Sequence, residues 1–234
     1  MQKRVLPGLF AILLTFFALP SPSAATVDPF THSHSPVHDL KRPNPCLSTA
    51  RGTLFPEAIS WAVDSFPSLA EFARSTVSTD ANAITGVYVC RLLALRVVQQ
   101  PDDDPVYVSS EAGTATQFRL ADRYGTLGLL AHNDRSGGQF FDLANGNEVD
   151  VVRGDGSIRR YIVSSIRHYR PIIADNPYSD FYDLDTPGDA LSSSKVFQEI
   201  FASGDRVVFQ TCIAADGNPI WGRLFVIATP MSMN

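Results

Sequence analysis

Cys212 follows the apolar run Val207-Val208-Phe209-Gln210-Thr211 and precedes the polar loop Ala214-Ala215-Asp216-Gly217-Asn218-Pro219. A strand end beside a loop is where a β-barrel presents reactive groups at its rim. A nucleophilic thiol needs a base and usually a positive neighbour. His132 and His168 are the two histidines of the β-rich region. His132 closes Leu127-Gly128-Leu129-Leu130-Ala131 and opens Asn133-Asp134-Arg135-Ser136-Gly137-Gly138. His168, within Ile166-Arg167-His168-Tyr169, reads as a surface residue. Arg223 begins the last strand shortly after the loop that follows Cys212, so a hairpin returns it beside the thiol. Each has a plainer reading alone: a small buried hydrophobe for the Cys, a strand-end charge for the Arg. Together they offer a nucleophile, a proton carrier and a donor for developing negative charge, the requirements of acyl transfer.

The elements that must position these residues are mostly strands. Gly86 to Val89, Val106 to Val108, Thr126 to Ala131, Glu148 to Val152, Arg159 to Ile166, Arg206 to Cys212 and Gly222 to Thr229 are short β-rich runs. Asp155-Gly156 marks a hairpin between two of them. Many short strands with Gly, Asn and Asp turns predict a mainly β fold, an antiparallel barrel or sandwich. A long irregular stretch, Pro171 to Gly188, precedes a short helix with Val196, Phe197, Ile200 and Phe201 on one side and Gly204 as its stop. A loop of that length in a compact domain is usually functional. Upstream, Pro56, Ile59, Ala62, Val63 and Phe66 form a helical pattern; Pro67 breaks it, and Leu69, Phe72 and Ala73 continue on a second piece. Residues 26–55, rich in Pro, Ser and His, read as an exposed lead-in.

The N-terminus carries an address. Lys3 and Arg4 precede the apolar run Leu9 to Leu19, and Pro20-Ser21-Pro22-Ser23-Ala24-Ala25 follows. This is the layout of a secretory signal peptide over residues 1–25, cleaved after Ala25. The alternative, a retained anchor, meets an apolar run shorter than the roughly 20 residues a spanning helix needs. Export places Cys46, Cys90 and Cys212 in an oxidising compartment, where an odd number leaves at least one thiol out. Three pairings are open. A Cys46–Cys90 disulfide would tie the N-terminal segment to the first strand and leave Cys212 free; three unpaired, mostly buried thiols are the alternative. The 19 Lys and Arg against 24 Asp and Glu provide no basic excess, which argues against nucleic acid as a partner. With three cysteines and no C-x-x-C pair, a cysteine-ligated structural zinc site is excluded. His32, His34 and His38, and the run Asp102-Asp103-Asp104, read as solvated polar segments; no metal or cofactor is assigned.

Thr211-Cys212 at a strand end resembles the T-L-x-T-C motif of sortases, the bacterial cysteine transpeptidases. Leu130-Ala131-His132 resembles their histidine segment, and Gly222-Arg223-Leu224-Phe225-Val226-Ile227-Ala228 their final arginine-bearing strand. The order His, Cys, Arg agrees with that family over roughly residues 84–230. Val208-Phe209 stands where the motif has Thr-Leu, and Ala131 where many sortases have Gly. The His-Gly-Cys run of L,D-transpeptidases is missing, and papain-like proteases place their Cys at a helix start with the His downstream.

The resemblance implies a closed antiparallel β-barrel over 81–234 with short peripheral helices, preceded by an N-terminal extension over 26–80. It implies Cys212 as nucleophile, His132 as general acid and base, and Arg223 as oxyanion donor, with Thr211 and Asn133 as candidate substrate contacts. The substrate would be a protein bearing a C-terminal sorting-type motif, and the acceptor an amine of a cell-wall precursor or another protein. The Pro171–Gly188 segment and the helix before Cys212 would shape one wall of the groove. A non-catalytic surface module of the same fold and a sortase-like peptide hydrolase are the alternatives.

Overall fold

The computed structural model describes residues 66–176 and 178–231. The expected signal peptide, lead-in, first helical piece and Cys46 lie outside them. Strands β1 (Ile84–Val89), β2 (Leu93–Gln99), β3 (Thr114–Phe118), β4 (Thr126–Leu130), β5 (Glu148–Arg153), β6 (Ile158–Pro171), β7 (Phe181–Asp183), β8 (Arg206–Ala215) and β9 (Asn218–Pro230) are joined in one sheet. Its order is β5-β1-β2-β3-β4-β8-β9-β6, and β6 pairs again with β5, so eight strands close a barrel while β7 extends β6 at one end. Closure leaves few strand edges open to another chain. The fold is the mainly β barrel with short peripheral helices that the resemblance implies.

Two neighbour pairs depart from the antiparallel expectation: β2 runs parallel to β3, and β4 parallel to β8. Parallel neighbours need a connection long enough to carry the chain back to the same end. The stretches between those strands provide it. The run Val106 to Val108 forms no strand, and Val106 and Tyr107 are exposed. The Gln100 side-chain amide donates to the carbonyls of Pro105 and Tyr107, which holds this segment as a loop.

Side-chain alternation along the strands builds two apolar layers. Val207, Phe209, Leu224, Val226 and Ala228 point into the barrel, where they meet Val87, Leu95, Leu129 and Val151. Val208, Phe225 and Ile227 point out of it and are covered by α3 (Ser193–Phe201) through Val196, Phe197, Ile200 and Phe201. Ser192 caps that helix by accepting from the Lys195 amide at 3.2 Å. On β4, Gly128 lets the cover settle: a Cβ there would stand 2.9 Å from Phe118 Cβ and 3.2 Å from the Phe201 ring. A four-residue α2 (Arg119–Asp122) joins β3 to β4.

The second helical piece expected after Pro67 is α1 (Leu69–Ser75). It opens on a capping box in which the Ser68 amide donates to Glu71 Oε2 at 2.9 Å and the Glu71 amide to Ser68 Oγ at 3.3 Å. Phe72 packs on Tyr88 of β1 with ring centroids 5.8 Å apart. Among the described residues, no helix is long and apolar enough to cross a membrane.

Candidate active site

β8 and β9 form a hairpin turned by Asp216 and Gly217, whose φ values of 53° and 73° suit a two-residue turn that matches strand twist. A register shift between Ile213 and Ala215 then makes Cys212 and Arg223 direct cross-strand partners. Such partners hold their Cβ atoms about 4.5–5.5 Å apart. Both side chains leave the sheet on its outer side. On β8 the outward Val208 sets the phase for Gln210 and Cys212, and on β9 the outward Phe225 sets it for Arg223.

His132 arrives from β4. The parallel β4–β8 ladder ends with Leu130 opposite Gln210, and continuing it by two residues sets His132 level with Cys212. Ala131 keeps the ladder going, since its amide donates to the Gln210 carbonyl at 3.2 Å. Leu130 faces outward and Ala131 inward, so alternation carries His132 to the side of Cys212. The chain then turns over the His132 carbonyl, which accepts from the amides of Arg135 at 3.0 Å and Gly137 at 2.9 Å. Cys212 and Arg223 thus sit side by side on β8 and β9, and the line of β4, continued two residues past its end, leads to His132 on their other flank.

Burial governs the electrostatics of Cys212 and Arg223. Cys212 is a free thiol, 2% exposed. Burial pushes its titration up, and the Arg223 guanidinium, which draws it down, offsets only part of that. Arg223 is fully enclosed, and burial lowers its own titration against the opposing pull of Cys212. Its guanidinium is held by backbone carbonyls: Nη1 donates to Ile220 at 2.7 Å and Gly222 at 2.8 Å, and Nη2 to Ala174 at 3.1 Å. Nε has no partner among the described residues. The fork is therefore oriented by the chain, with one donor left over.

The row across the sheet from Cys212 through Arg223 continues to a residue that sequence reading passed over. Tyr169 of β6 is the other cross-strand partner of Arg223 and is fully buried. Its ring packs edge-on against Phe181 and Phe225, and its hydroxyl has no partner among the described residues. The neighbouring His168 lies apart from this row. Its Nδ1 is 2.8 Å from Asp185 Oδ1, and its side chain is 38% exposed. The expected surface role fits that placement.

Asn133 and Thr211 tie segments together. Asn133 Nδ2 donates to the Pro219 carbonyl at 3.1 Å, which links the turn after His132 to the β8–β9 hairpin. Thr211 points to the barrel side, fully buried, and its hydroxyl donates to the Ala131 carbonyl at 2.9 Å. Of the Pro171–Gly188 segment, Ala174 reaches Arg223 through its carbonyl, while Ile172, Ile173 and Tyr178 are exposed. Asp102 is engaged in an ion pair with Arg119. Cys90, at the end of β1, is disulfide-bonded.

No family model matches the chain, and no curated protein matches it. Solved structures do. The chain is similar to sortase C-1 from Actinomyces oris at 15% identity, over 74% of this chain and 86% of that one, with a TM-score of 0.42. It is similar to Listeria monocytogenes sortase A at 14% identity, over 64% of this chain and 89% of that one, with a TM-score of 0.39. A Clostridium perfringens sortase D5 transpeptidase is similar at 15% identity, over 68% and 84%, with a TM-score of 0.38. The likeness concerns the fold. The chemistry rests on the residues described above.

Proposed function

We propose that the protein is an exported, sortase-like cysteine transpeptidase. The observation that carries this reading is the free thiol of Cys212 set opposite Arg223 on β9, with His132 just past the end of β4, the neighbour of β8 on the other side. Cys212 Sγ attacks the carbonyl of a sorting-type peptide bond. His132 takes the thiol proton and delivers it to the leaving amine as the amide C–N bond breaks, and a thioacyl enzyme forms. Arg223 donates to the developing oxyanion, which its planar fork suits better than a lysine would. An amine of a wall precursor or another protein then attacks the thioester, loses its proton to His132 and releases the thiol. Water is the slower competitor.

The enclosed thiol fits a nucleophile that is mostly protonated at rest. With ordinary pKa values of about 8.5 and 6.5, an independent Cys and His would form the thiolate–imidazolium pair only on the order of 1% of the time at pH 7. Burial raises the Cys212 titration and thereby lowers the resting thiolate fraction.

In this reading residues 1–25 direct export and are removed after Ala25, residues 26–80 form the extension, and 81–234 carry the activity. Thr211 and Asn133 flank the reacting groups, and Cys46 pairs with Cys90.

The test offers the mature protein a library of extended peptides with hydroxylamine as acceptor, read by mass spectrometry. A peptide-acyl adduct on Cys212 and a hydroxamate product are expected, both lost in Cys212→Ala. An inert Cys212 with no adduct from any peptide would leave a non-catalytic surface module as the better account. Adducts released only by water, with hydroxylamine and amines ignored, would identify a hydrolase.

A further inference from the structure

We infer that Thr211 and Gly137 form a clasp that holds His132 level with Cys212, so that both act as positioning residues for the reaction proposed above. The inference rests on that reading.

The β4 ladder stops two residues short of the site, at Leu130 opposite Gln210. Beyond it the Ala131 amide still donates to the Gln210 carbonyl. What extends the register is a side chain: the Thr211 hydroxyl donates to the Ala131 carbonyl at 2.9 Å. Ala131 is therefore held at both its amide and its carbonyl, immediately before His132. The Thr211 hydroxyl is fully buried and projects to the barrel side, opposite the face that bears Cys212. From there it reaches the backbone that sets His132 rather than a peptide bound over the thiol.

Gly137 closes the clasp from the other side. Its amide donates to the His132 carbonyl at 2.9 Å. A Cβ at this position would stand 2.3 Å from Thr211 Oγ1, 2.6 Å from the Ala131 oxygen and 2.7 Å from the His132 oxygen. No side chain fits there without displacing the hydroxyl, the carbonyl or the turn. The glycine is needed for space, because its φ lies outside the positive region. Behind it Phe140 anchors the 3-10 segment Ser136–Asp142 by packing edge-on against Phe209 of β8, centroids 5.1 Å apart. One strand thus carries the nucleophile, its clasp hydroxyl and the anchor of the turn that positions the base.

The experiment follows alkylation of Cys212 by iodoacetamide across pH, with the label located by mass spectrometry, in wild type, His132→Ala, Thr211→Val, Thr211→Ser and Gly137→Ala. Far-ultraviolet circular dichroism checks the fold. A base held within reach of the thiol shapes the rate near neutral pH, and misplacement by about 1 Å commonly costs tenfold to a hundredfold. Thr211→Val and Gly137→Ala should lower the neutral-pH rate on the order of tenfold and give the His132→Ala profile, while Thr211→Ser keeps the wild-type one. A Thr211→Val profile identical to wild type, with His132→Ala altered, overturns the clasp and leaves the catalytic reading standing. An unaltered His132→Ala profile overturns both. If the valine and alanine variants fail to fold, wild-type protein decides by NMR: a slowly exchanging Thr211 hydroxyl proton close to the amide of His132 supports the clasp, and a rapidly exchanging one overturns it.

Discussion

Cys212 and Arg223 face each other as direct cross-strand partners on β8 and β9, and both are almost completely enclosed. A charged guanidinium beside a buried thiol is the one influence that draws the thiol's titration down against the desolvation that raises it. Arg223→Met keeps much of the side-chain volume and removes that influence. The Cys212 titration should then move further up, and alkylation at a fixed neutral pH should slow. Iodoacetamide kinetics across pH check this; a downward shift would show that Arg223 does not act on the thiol.

The two histidines of the barrel should separate cleanly. His132 lies just past the end of β4 on the flank of Cys212, whereas His168 is engaged with Asp185. His132→Ala should lower peptide turnover about 10²–10⁴-fold, the usual range for loss of a general acid–base. His168→Ala should leave turnover nearly unchanged and cost at most about 1 kcal/mol, the worth of an exposed side-chain hydrogen bond. Steady-state kinetics and denaturant unfolding of both variants make the comparison, and equal losses of turnover would reverse the assignment.

Tyr169 carries a stability prediction with a defined sign. Its buried hydroxyl has no partner among the described residues, so Tyr169→Phe should stabilise the fold by about 1 kcal/mol near neutral pH, by relieving an unpaired polar group. Burial pushes the titrations of Tyr161 and Tyr169 from 10.0 up to about 12. A raised folded-state value means that the stability is fully present below the unfolded value of 10.0 and is lost as pH rises through about 12. Urea unfolding from pH 9 to pH 12 should show that loss, and Tyr169→Phe should flatten it.

The disulfide at Cys90 should be to Cys46, which leaves Cys212 as the reactive thiol. A non-reducing peptide map should recover the Cys46–Cys90 cross-link. On the chain-entropy model a loop of this size is worth roughly 4 kcal/mol, so reduction should lower the unfolding temperature clearly. A Cys46–Cys212 or Cys90–Cys212 peptide would remove the nucleophile and with it the proposed chemistry.

Much of the site was readable along the chain, for local reasons. The β8–β9 hairpin is a nearest-neighbour structure: Asp216 and Gly217 accept the positive φ values of its turn, and alternation through Val207, Phe209, Leu224 and Val226 sets the faces. Counting back from that turn sets Cys212 opposite Trp221; an irregularity between Ile213 and Ala215 moves the partner on by two residues to Arg223, on the same face of the strand. α3 was legible in the same way, because the 3–4 spacing of Val196, Phe197, Ile200 and Phe201 is a property of one helix.

What the chain alone determined, then, was a set of candidate residues, their strand contexts and the hairpin that carries two of them, while the irregularity that sets those two opposite each other was not legible. Only the tertiary structure decided which strand lies on the far side of β8. It is β4, parallel to it and bonded residue for residue from Thr126 to Leu130, and this brings His132 to the flank of Cys212. No local pattern encodes a parallel pairing between segments some 80 residues apart, because its register depends on the whole closed barrel rather than on a turn. The same holds for Val106 to Val108, a β-rich run that finds no neighbour and stays a loop, and for Gly137, whose lack of a side chain matters only because Thr211 and Ala131 are folded against it. A strand's propensity belongs to its residues, but its partner belongs to the fold.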